Sequence, residues 1–495
     1  MELQFEKDLM SCLQMQQAKV QSQEQTQELR LPEGMPDIGT VLACWGQILL
    51  RGKEWRSDAA GISGGVMAWV LYLPEEGGAP QSVEAWLPFQ MKWNVEPGQY
   101  DGTLLAVPLL RSADARCLSA RKLMVRTNVS VMAKILQPSE VELYRPGEVP
   151  EDVQLLKRSY PVCVPTEAGE KAFVLEENIP FPTGDKVLFC SFKPEVTEKK
   201  LMSDKVIFRG MGILHLLCRG ENGELWSKDV DVPFSQYAEL DRVYEEGATV
   251  DLLPLVTNLE LESGEEGNLQ LKAGISGQYV IYDRPVLETV EDAYSPARSV
   301  QTQTDRLALP VVLDSTAETV RGEAEAEIDA QKIVDLAFWP EHPYMMMEDG
   351  GAEAELSGIF QMLYYDPEGQ LQSAQTRWED TWNLPADQNS AVSAVVQCSG
   401  RPQAGQDGAG VRLRGDLLLE SQSVAQEGIP MVTGLELGEL QPLDPNRPTL
   451  ILRKAGDDSL WEIAKASGST VAAIQQANGL QQPPQSEQML LIPVQ

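Results

Sequence analysis

Gly65-Val66-Met67-Ala68-Trp69-Val70 is the stretch on which the architecture of this chain rests, because it occurs in three related versions. The second is Gly212-Ile213-Leu214-His215-Leu216-Leu217, and the third is Gly358-Ile359-Phe360-Gln361-Met362-Leu363. Each version follows another largely apolar run, and these runs begin 146 and 148 residues apart, at Val41, Val187 and Asp335. Self-similarity at a nearly constant period indicates tandem copies of one domain.

The residue pattern inside each copy is that of β-strands. Apolar and β-branched residues alternate with polar ones in runs such as 269–282, and glycine-containing turns separate the runs. Short helices are an alternative at Ser235–Leu240 and at Met91–Glu96. We therefore expect a mainly β fold with three tandem β-rich repeats, each a sandwich or an open barrel, at residues 1–147, 148–296 and 297–440.

Segments before and between the repeats are assigned by composition. Gln16–Glu28 is rich in glutamine and fits either a polar edge strand of the first repeat or a frayed helix, so the role of residues 1–25 stays open. Acidic, proline-containing stretches near 148–151 and at 291–296 are typical of linkers. Residues 441–448 contain three prolines, and we expect them to link the repeats to the C-terminal segment.

Residues 449–495 have the pattern of a small α+β domain of order βααβ. A short apolar strand, Leu450–Arg453, precedes Ser459-Leu460-Trp461-Glu462, which has the spacing of a capping box. A second helix begins near Thr470 and ends at Asn478-Gly479, a pair suited to the left-handed backbone that terminates helices. Leu490-Leu491-Ile492-Pro493 forms the closing strand.

This C-terminal segment resembles a LysM domain. The resemblance rests on the run from Asp458 to Lys465, on Ile474 followed by Asn478, and on Leu491-Ile492-Pro493. It implies that glycans containing N-acetylglucosamine bind in a groove between the loop before the first helix and the loop after the second. The groove residues would be Gly456, Asp457, Asp458, Ser459, Leu460, Ile474, Asn478, Gly479, Leu480 and Gln481.

The LysM resemblance has one departure and one ambiguous residue. LysM domains usually have glycine directly before the first aspartate of the motif, and here Asp457 stands in that place, which adds a carboxylate to a loop that should approach the sugar closely. The indole of Trp461 suits stacking on a sugar ring, but its position beside Ile463 and Ala464 on the helix favours a role in the core of the domain.

Three β-rich repeats followed by one LysM domain resemble the SPOCS-domain proteins of spore-forming Firmicutes. That resemblance implies a non-enzymatic scaffold of the spore coat in the mother-cell cytoplasm, at the forespore surface. The LysM domain would then recognise a coat protein, with the SpoIVA ATPase as the expected partner. The alternative is a peptidoglycan-binding protein, or an accessory of a cell-wall hydrolase, whose LysM domain binds glycan.

Charge and cysteine content restrict the partners and the compartment. The chain has 40 basic and 74 acidic residues, a formal charge of −34, so nucleic acid and anionic lipid surfaces would repel it. Met1–Met10 contains four charged residues, which argues against a signal peptide. The seven cysteines include no C-x-x-C pair, which favours buried thiols in a reduced, cytoplasmic compartment.

Sequence motifs for catalysis or metal binding are missing. With His215 and His342 as its only histidines, the chain has no His-Glu-x-x-His site, and it has neither a phosphate-binding G-x-x-x-x-G-K-[ST] loop nor an EF-hand calcium loop. We expect His215 to be a core residue of an apolar strand and His342 to lie in a loop. The sequence therefore predicts a protein that is not an enzyme and needs no cofactor or metal.

Overall fold

A computed structural model describes residues 2–3, 5–56, 59–94, 102–264, 267–348, 351–387, 389–407, 410–442 and 447–494. Within these ranges the fold is mainly β, as predicted, and the two helices both lie in the C-terminal segment. Residues 443–446 of the expected linker, and residues 95–96 of one possible helix, lie outside the described residues. The domain boundaries at 147, 296 and 440 stay predictions.

The first repeat consists of two antiparallel sheets that face one apolar core. Its strands, after the short β1 (Glu2–Leu3), are β2 (Phe5–Arg30), β3 (Ile38–Arg56), β4 (Ala59–Pro74), β5 (Gln81–Asn94), β6 (Thr103–Ser119) and β7 (Lys122–Pro146). One sheet is the meander β3-β4-β5, and the other has the order β2-β7-β6, so that β2 pairs with β7 along its whole length. Val66, Val70 and Val131 are among the side chains buried between the sheets.

The second repeat has the same topology, with one interruption. Its strands are β8 (Gln154–Pro161), β9 (Val164–Pro180), β10 (Lys186–Leu201), β11 (Lys205–Arg219), β12 (Leu225–Glu239), β13 (Thr249–Ser263), β14 (Asn268–Asp283) and β15 (Val286–Tyr294). The meander is β10-β11-β12, and the other sheet has the order β9-β14-β13. The first strand of the repeat pairs with the last, but both are divided beside Pro285. As a result β9 pairs with β14, and β8 pairs with β15.

The third repeat is interrupted in two places, in the first strand of its meander and in the paired first and last strands of the repeat. Its strands are β16 (Val300–Leu307), β17 (Val312–Ala326), β18 (Lys332–Pro340), β19 (Tyr344–Glu348), β20 (Gly351–Tyr365), β21 (Leu371–Leu384), β22 (Ser390–Asp407), β23 (Gly410–Ala425) and β24 (Ile429–Leu437). Pro340 and Pro343 flank the break between β18 and β19, both of which pair with β20. The second sheet has the order β17-β23-β22, and β24 pairs with β16 and also with β1.

The C-terminal segment has the predicted order of elements: β25 (Leu450–Lys454), α1 (Leu460–Ser467), α2 (Val471–Asn478) and β26 (Met489–Pro493). The two strands pair antiparallel, and Ile463, Ile474 and Ile492 are buried between the sheet and the helices.

The structure decides between the alternative secondary structures predicted for several segments. Gln16–Glu28 lies within β2 at a sheet edge, so the edge-strand interpretation is confirmed. The helix alternative is wrong at Ser235–Glu239 and at Met91–Asn94, which belong to β12 and β5, because each segment pairs residue by residue with a neighbouring strand. The linker interpretation of 291–296 is also wrong, since residues 291–294 are the end of β15.

The glycine that begins each of the three related stretches is explained by a close aromatic contact. A Cβ atom at Gly65 would collide with the indole of Trp86, one at Gly212 with the ring of Phe192, and one at Gly358 with the ring of Phe338. Each ring comes from a strand of the same meander and lies directly over the glycine backbone. The repeated glycine is therefore a packing requirement of the fold.

The three repeats share apolar cores. Trp45 and Trp69 of the first repeat belong to the same buried cluster as most of the second repeat's core, together with Val334 and Leu363 of the third. The rings of Trp45 and Phe189 stack with centroids 5.1 Å apart across the boundary of the first two repeats. The repeats are consequently one packed body.

His215 connects the second repeat to the third by ion pairs. Its Nδ1 lies 2.7 Å from Asp229 on the neighbouring strand, and its Nε2 lies 2.7 Å from Asp335 of β18. Burial disfavours the charged imidazole, but the carboxylates of Asp335 and Asp229 outweigh it and raise the pKa of His215 to about 10. The histidine is thus a cation in an inter-repeat ion pair, where the sequence predicted an ordinary core residue.

The His215 ion pairs predict a specific loss of stability in alkaline solution. Because the folded-state pKa lies near 10 and the ordinary value is 6.5, the contribution is complete below about pH 6.5 and disappears as the pH rises towards 10. The free energy of urea unfolding of the unmodified chain should fall over this range by about 2 kcal/mol more than that of His215→Gln. Parallel pH profiles for the two proteins would contradict the ion-pair assignment.

Candidate functional site

The two loops of the predicted groove are positioned by the caps of the helices. Ser459 Oγ accepts from the backbone of Glu462 at 3.2 Å, and the Glu462 carboxylate accepts from the backbone of Ser459 at 2.7 Å, so the capping box predicted at the start of α1 is present. Thr470 caps α2, and Gly479 ends it with a left-handed φ of 63°. These caps fix where the loop 456–460 enters α1 and where the loop 479–482 leaves α2.

Most of the predicted groove residues are open to solvent. Gly456, Asp457, Asp458, Ser459, Gly479 and Gln481 are exposed, while Leu460, Asn478 and Leu480 are half-buried. No heavy atom lies within 4 Å of a Cβ built on Gly456 or on Gly479, so the space beside both glycines is free. A ligand can therefore reach the backbone of both loops.

The two acidic residues of the first loop differ in environment. The Asp458 carboxylate forms an ion pair with Arg453 of β25. Asp457, which stands where LysM domains usually have glycine, is exposed and forms no hydrogen bond or ion pair within the described part of the chain. The added carboxylate of this loop is thus free to meet a ligand.

Two of the predicted groove residues have structural roles. Ile474 is fully buried in the core of the C-terminal segment. The Asn478 side chain donates to Leu491 O at 2.6 Å and accepts from Leu491 N at 2.7 Å. These two hydrogen bonds satisfy backbone groups at the edge of β26 that would otherwise need a neighbouring strand. Both residues stabilise the helices and strands that support the groove loops.

The C-terminal segment is attached to the second repeat through one face of α1. Trp461, expected in the core or on a sugar, is half-buried against Tyr294 of β15, with ring centroids 4.7 Å apart. Its Nε1 donates to Asp292 at 2.8 Å, and Lys465 Nζ lies 2.7 Å from the same carboxylate. Tyr294 in turn donates its hydroxyl to Ser469 O at 2.9 Å.

Asp292 is the centre of this attachment. Burial alone would raise the pKa of its carboxyl, but the hydrogen bonds from Lys465 and Trp461 reverse the effect and lower the pKa below its usual value. The carboxylate is therefore ionised when it joins the two parts. The groove loops lie outside this contact, so attachment leaves them exposed.

A cavity between the repeats is lined by residues of the types that form catalytic triads. It has a volume of about 570 Å³, is lined by strands of all three repeats, and contains His215, Asp229 and Asp335. Ser191 is the cross-strand neighbour of His215. Both imidazole nitrogens contact carboxylates, so neither is free to accept a proton from the Ser191 hydroxyl as a catalytic triad requires.

Among the residues that the structure describes, no three His, Cys, Asp or Glu side chains are grouped closely enough to hold a metal ion. Within the same ranges, neither helix has the length and apolar character needed to cross a bilayer.

Replacement of Asp292 should weaken the attachment of the C-terminal segment without unfolding that segment. Asp292→Ala removes the shared acceptor of Trp461 and Lys465, at a cost of about 2 kcal/mol, while the core around Ile463 stays intact. Limited proteolysis of the full chain should then cleave residues 441–448 at least roughly tenfold faster. Asp305→Ala, at an exposed aspartate, is the control, and equal cleavage of both variants would contradict the attachment.

Replacement of Asn478 should loosen β26. Asn478→Ala leaves the N–H and C=O of Leu491 without their side-chain partners, at a cost of about 2 kcal/mol. Hydrogen exchange of 489–493 should accelerate roughly tenfold or more, whereas Gln476→Ala on the exposed side of the same helix should leave it unchanged. An unchanged exchange rate in Asn478→Ala would refute the edge-capping role.

Comparison with known proteins agrees with this geometry. The LysM domain family model matches residues 454–493, which begin at the last residue of β25 and include both helices and β26. No curated protein and no solved structure matches the chain. LysM domains bind glycans containing N-acetylglucosamine, so the match indicates peptidoglycan or glycan binding. Residues 454–493 are a LysM domain, as their sequence pattern predicted.

Proposed function

We propose that this protein is a non-enzymatic scaffold that presents one glycan-binding LysM domain on a large β-repeat body. The observation that carries the proposal is the orientation of the LysM domain. Trp461 and Lys465 attach one side of α1 to Asp292, while Gly456, Ser459 and Gly479 of the groove loops remain exposed. A domain held in this way offers its groove to a ligand at a fixed position relative to the body.

The ligand of the groove is an oligosaccharide that contains N-acetylglucosamine, such as chitin or peptidoglycan fragments. Uncharged sugars bind through backbone groups and hydrogen bonds, and the glycine backbones at 456 and 479 are accessible for such contacts. The free carboxylate of Asp457 has to lose part of its hydration when a sugar approaches, which lowers the affinity below that of a loop with glycine in this place.

A second candidate function is assembly of the spore coat in the mother-cell cytoplasm. Its support is the layout: three repeats of one strand topology precede a single LysM domain, as in the SPOCS-domain proteins and in SipL among them. In that function the exposed groove loops recognise a coat protein, and the expected partner is the SpoIVA ATPase. The pairing of both His215 nitrogens with carboxylates also favours a structural over a catalytic role for the body.

Titration of the full chain with chitin oligosaccharides tests the glycan proposal. We expect saturable binding, and Asp457→Gly should bind roughly fivefold more tightly, because it avoids about 1 kcal/mol of carboxylate desolvation. Isothermal titration calorimetry gives both affinities, and Asp305→Asn, which removes one charge from the body, should bind like the unmodified chain.

Absence of binding to both chitin and peptidoglycan oligosaccharides, with residues 454–493 folded, would contradict the glycan proposal. The groove would then remain as a site for protein recognition, and the SpoIVA ATPase would be the next titrant.

A further inference from the structure

A second cavity, of about 360 Å³, lies where the second sheets of the three repeats meet. β7 contributes Leu136 from the first repeat, β14 contributes Val280 from the second, and β23 contributes Val424 from the third. These are corresponding strands, each the central strand of its sheet. The cavity is therefore a product of the way in which the repeats assemble, and no repeat contains it alone.

An apolar cluster forms part of the cavity wall. Val107, Leu253 and Val395, from corresponding strands of the three repeats, pack together with Met132. Lys199 and Asp251, which also line the cavity, have 36% and 46% of their side-chain surface exposed, and their charged atoms lie 3.6 Å apart. The cavity thus has an apolar part of its wall and a part with charged residues that solvent can reach.

Two opposite charges inside the pocket have no direct partner. Lys134 comes from β7 and Glu420 from β23, and both line the cavity. Within the described ranges neither side chain forms a hydrogen bond or an ion pair closer than 4 Å. At longer range, the charges of Asp251 and Glu420 act to raise the pKa of Lys134, and those of Lys199 and Lys134 act to lower the pKa of Glu420. Burial lowers the pKa of Lys134 and raises that of Glu420, so both charges are poorly solvated where they lie.

A half-buried charge without a partner loses part of its hydration, and the usual solutions are direct pairing or a bound ligand. Here the ammonium and the carboxylate face the same space and remain apart. A ligand that carries both a carboxylate and an ammonium group satisfies them together, whereas a ligand with a single charge leaves one of the two unpaired. The volume is at the low end of the range for small-molecule sites, which limits the occupant to a small compound.

We propose that this pocket binds a small aliphatic amino acid, with the ligand carboxylate against Lys134 and the ligand ammonium group against Glu420. The apolar side chains of Leu105, Leu136, Val280 and Val424 form one part of the wall, and this part accepts an aliphatic side chain. The site is independent of the LysM domain and adds a small-molecule ligand to the proposed scaffold.

Calorimetric titration of the full chain with L-valine and L-leucine tests the proposal. At least one of them should bind, and about tenfold or more tightly than its analogues with a single charge: isobutylamine and isovalerate for L-valine, isoamylamine and 4-methylpentanoate for L-leucine. Failure of both amino acids to bind at millimolar concentration would overturn the proposal. Equal binding of an amino acid and its analogues would also overturn it.

Variants of the two charged residues supply the second test. Lys134→Met and Glu420→Gln should each weaken amino-acid binding about tenfold or more, and the controls Lys200→Met and Glu288→Gln, at exposed positions, should not. Because a single substitution leaves one half-buried charge without its counterpart, the double variant Lys134→Met/Glu420→Gln serves as a folded reference without that defect. Binding by the double variant at the level of the unmodified chain would contradict the assignment.

Discussion

The structure depends on the burial of both faces of the meander sheets. In β4, Val66 and Val70 lie in the core of the first repeat, while Trp69 on the opposite face belongs to a core shared with the second repeat. A sheet buried on both faces cannot remain separate from its neighbours, because the second apolar face would be exposed to water. The merging of the three repeats, the cavity that contains His215 and the His215 ion pairs all follow from this constraint.

Much of the fold was predictable because the relevant signals are local. The period of the three related stretches indicated repeats, and the alternation of residues such as 269–282 indicated strands. The same applies to the LysM domain, where the Ser459–Glu462 capping box and Gly479 define both helix ends within a few residues. Segments of mixed pattern were harder, and Ser235–Glu239 is a strand only because β11 pairs with it.

The contacts between the parts could not be predicted. Asp292 contacts Trp461 across 169 residues of sequence, and nothing around either residue marks the other as its partner. The acidic, proline-containing composition of 291–296 is typical of a linker, although Asp292 within it is the residue that contacts Trp461 and Lys465 of the LysM domain. The LysM motif therefore identified the groove loops, and only the structure gave their orientation and the buried roles of Ile474 and Asn478.

The pairing of the first strand of each repeat with its last strand also governs how the chain folds during synthesis. Phe5 pairs with Pro146, and β9 likewise pairs with β14, so a second sheet cannot close until almost the whole repeat has left the ribosome. Contacts this distant in sequence slow folding. Until β7 is available, the backbone of β2 is an unpaired strand edge, and such edges promote aggregation. The glutamines and charges along 16–28 keep that edge soluble in the meantime, which gives the polar composition of this segment a purpose before the native fold exists.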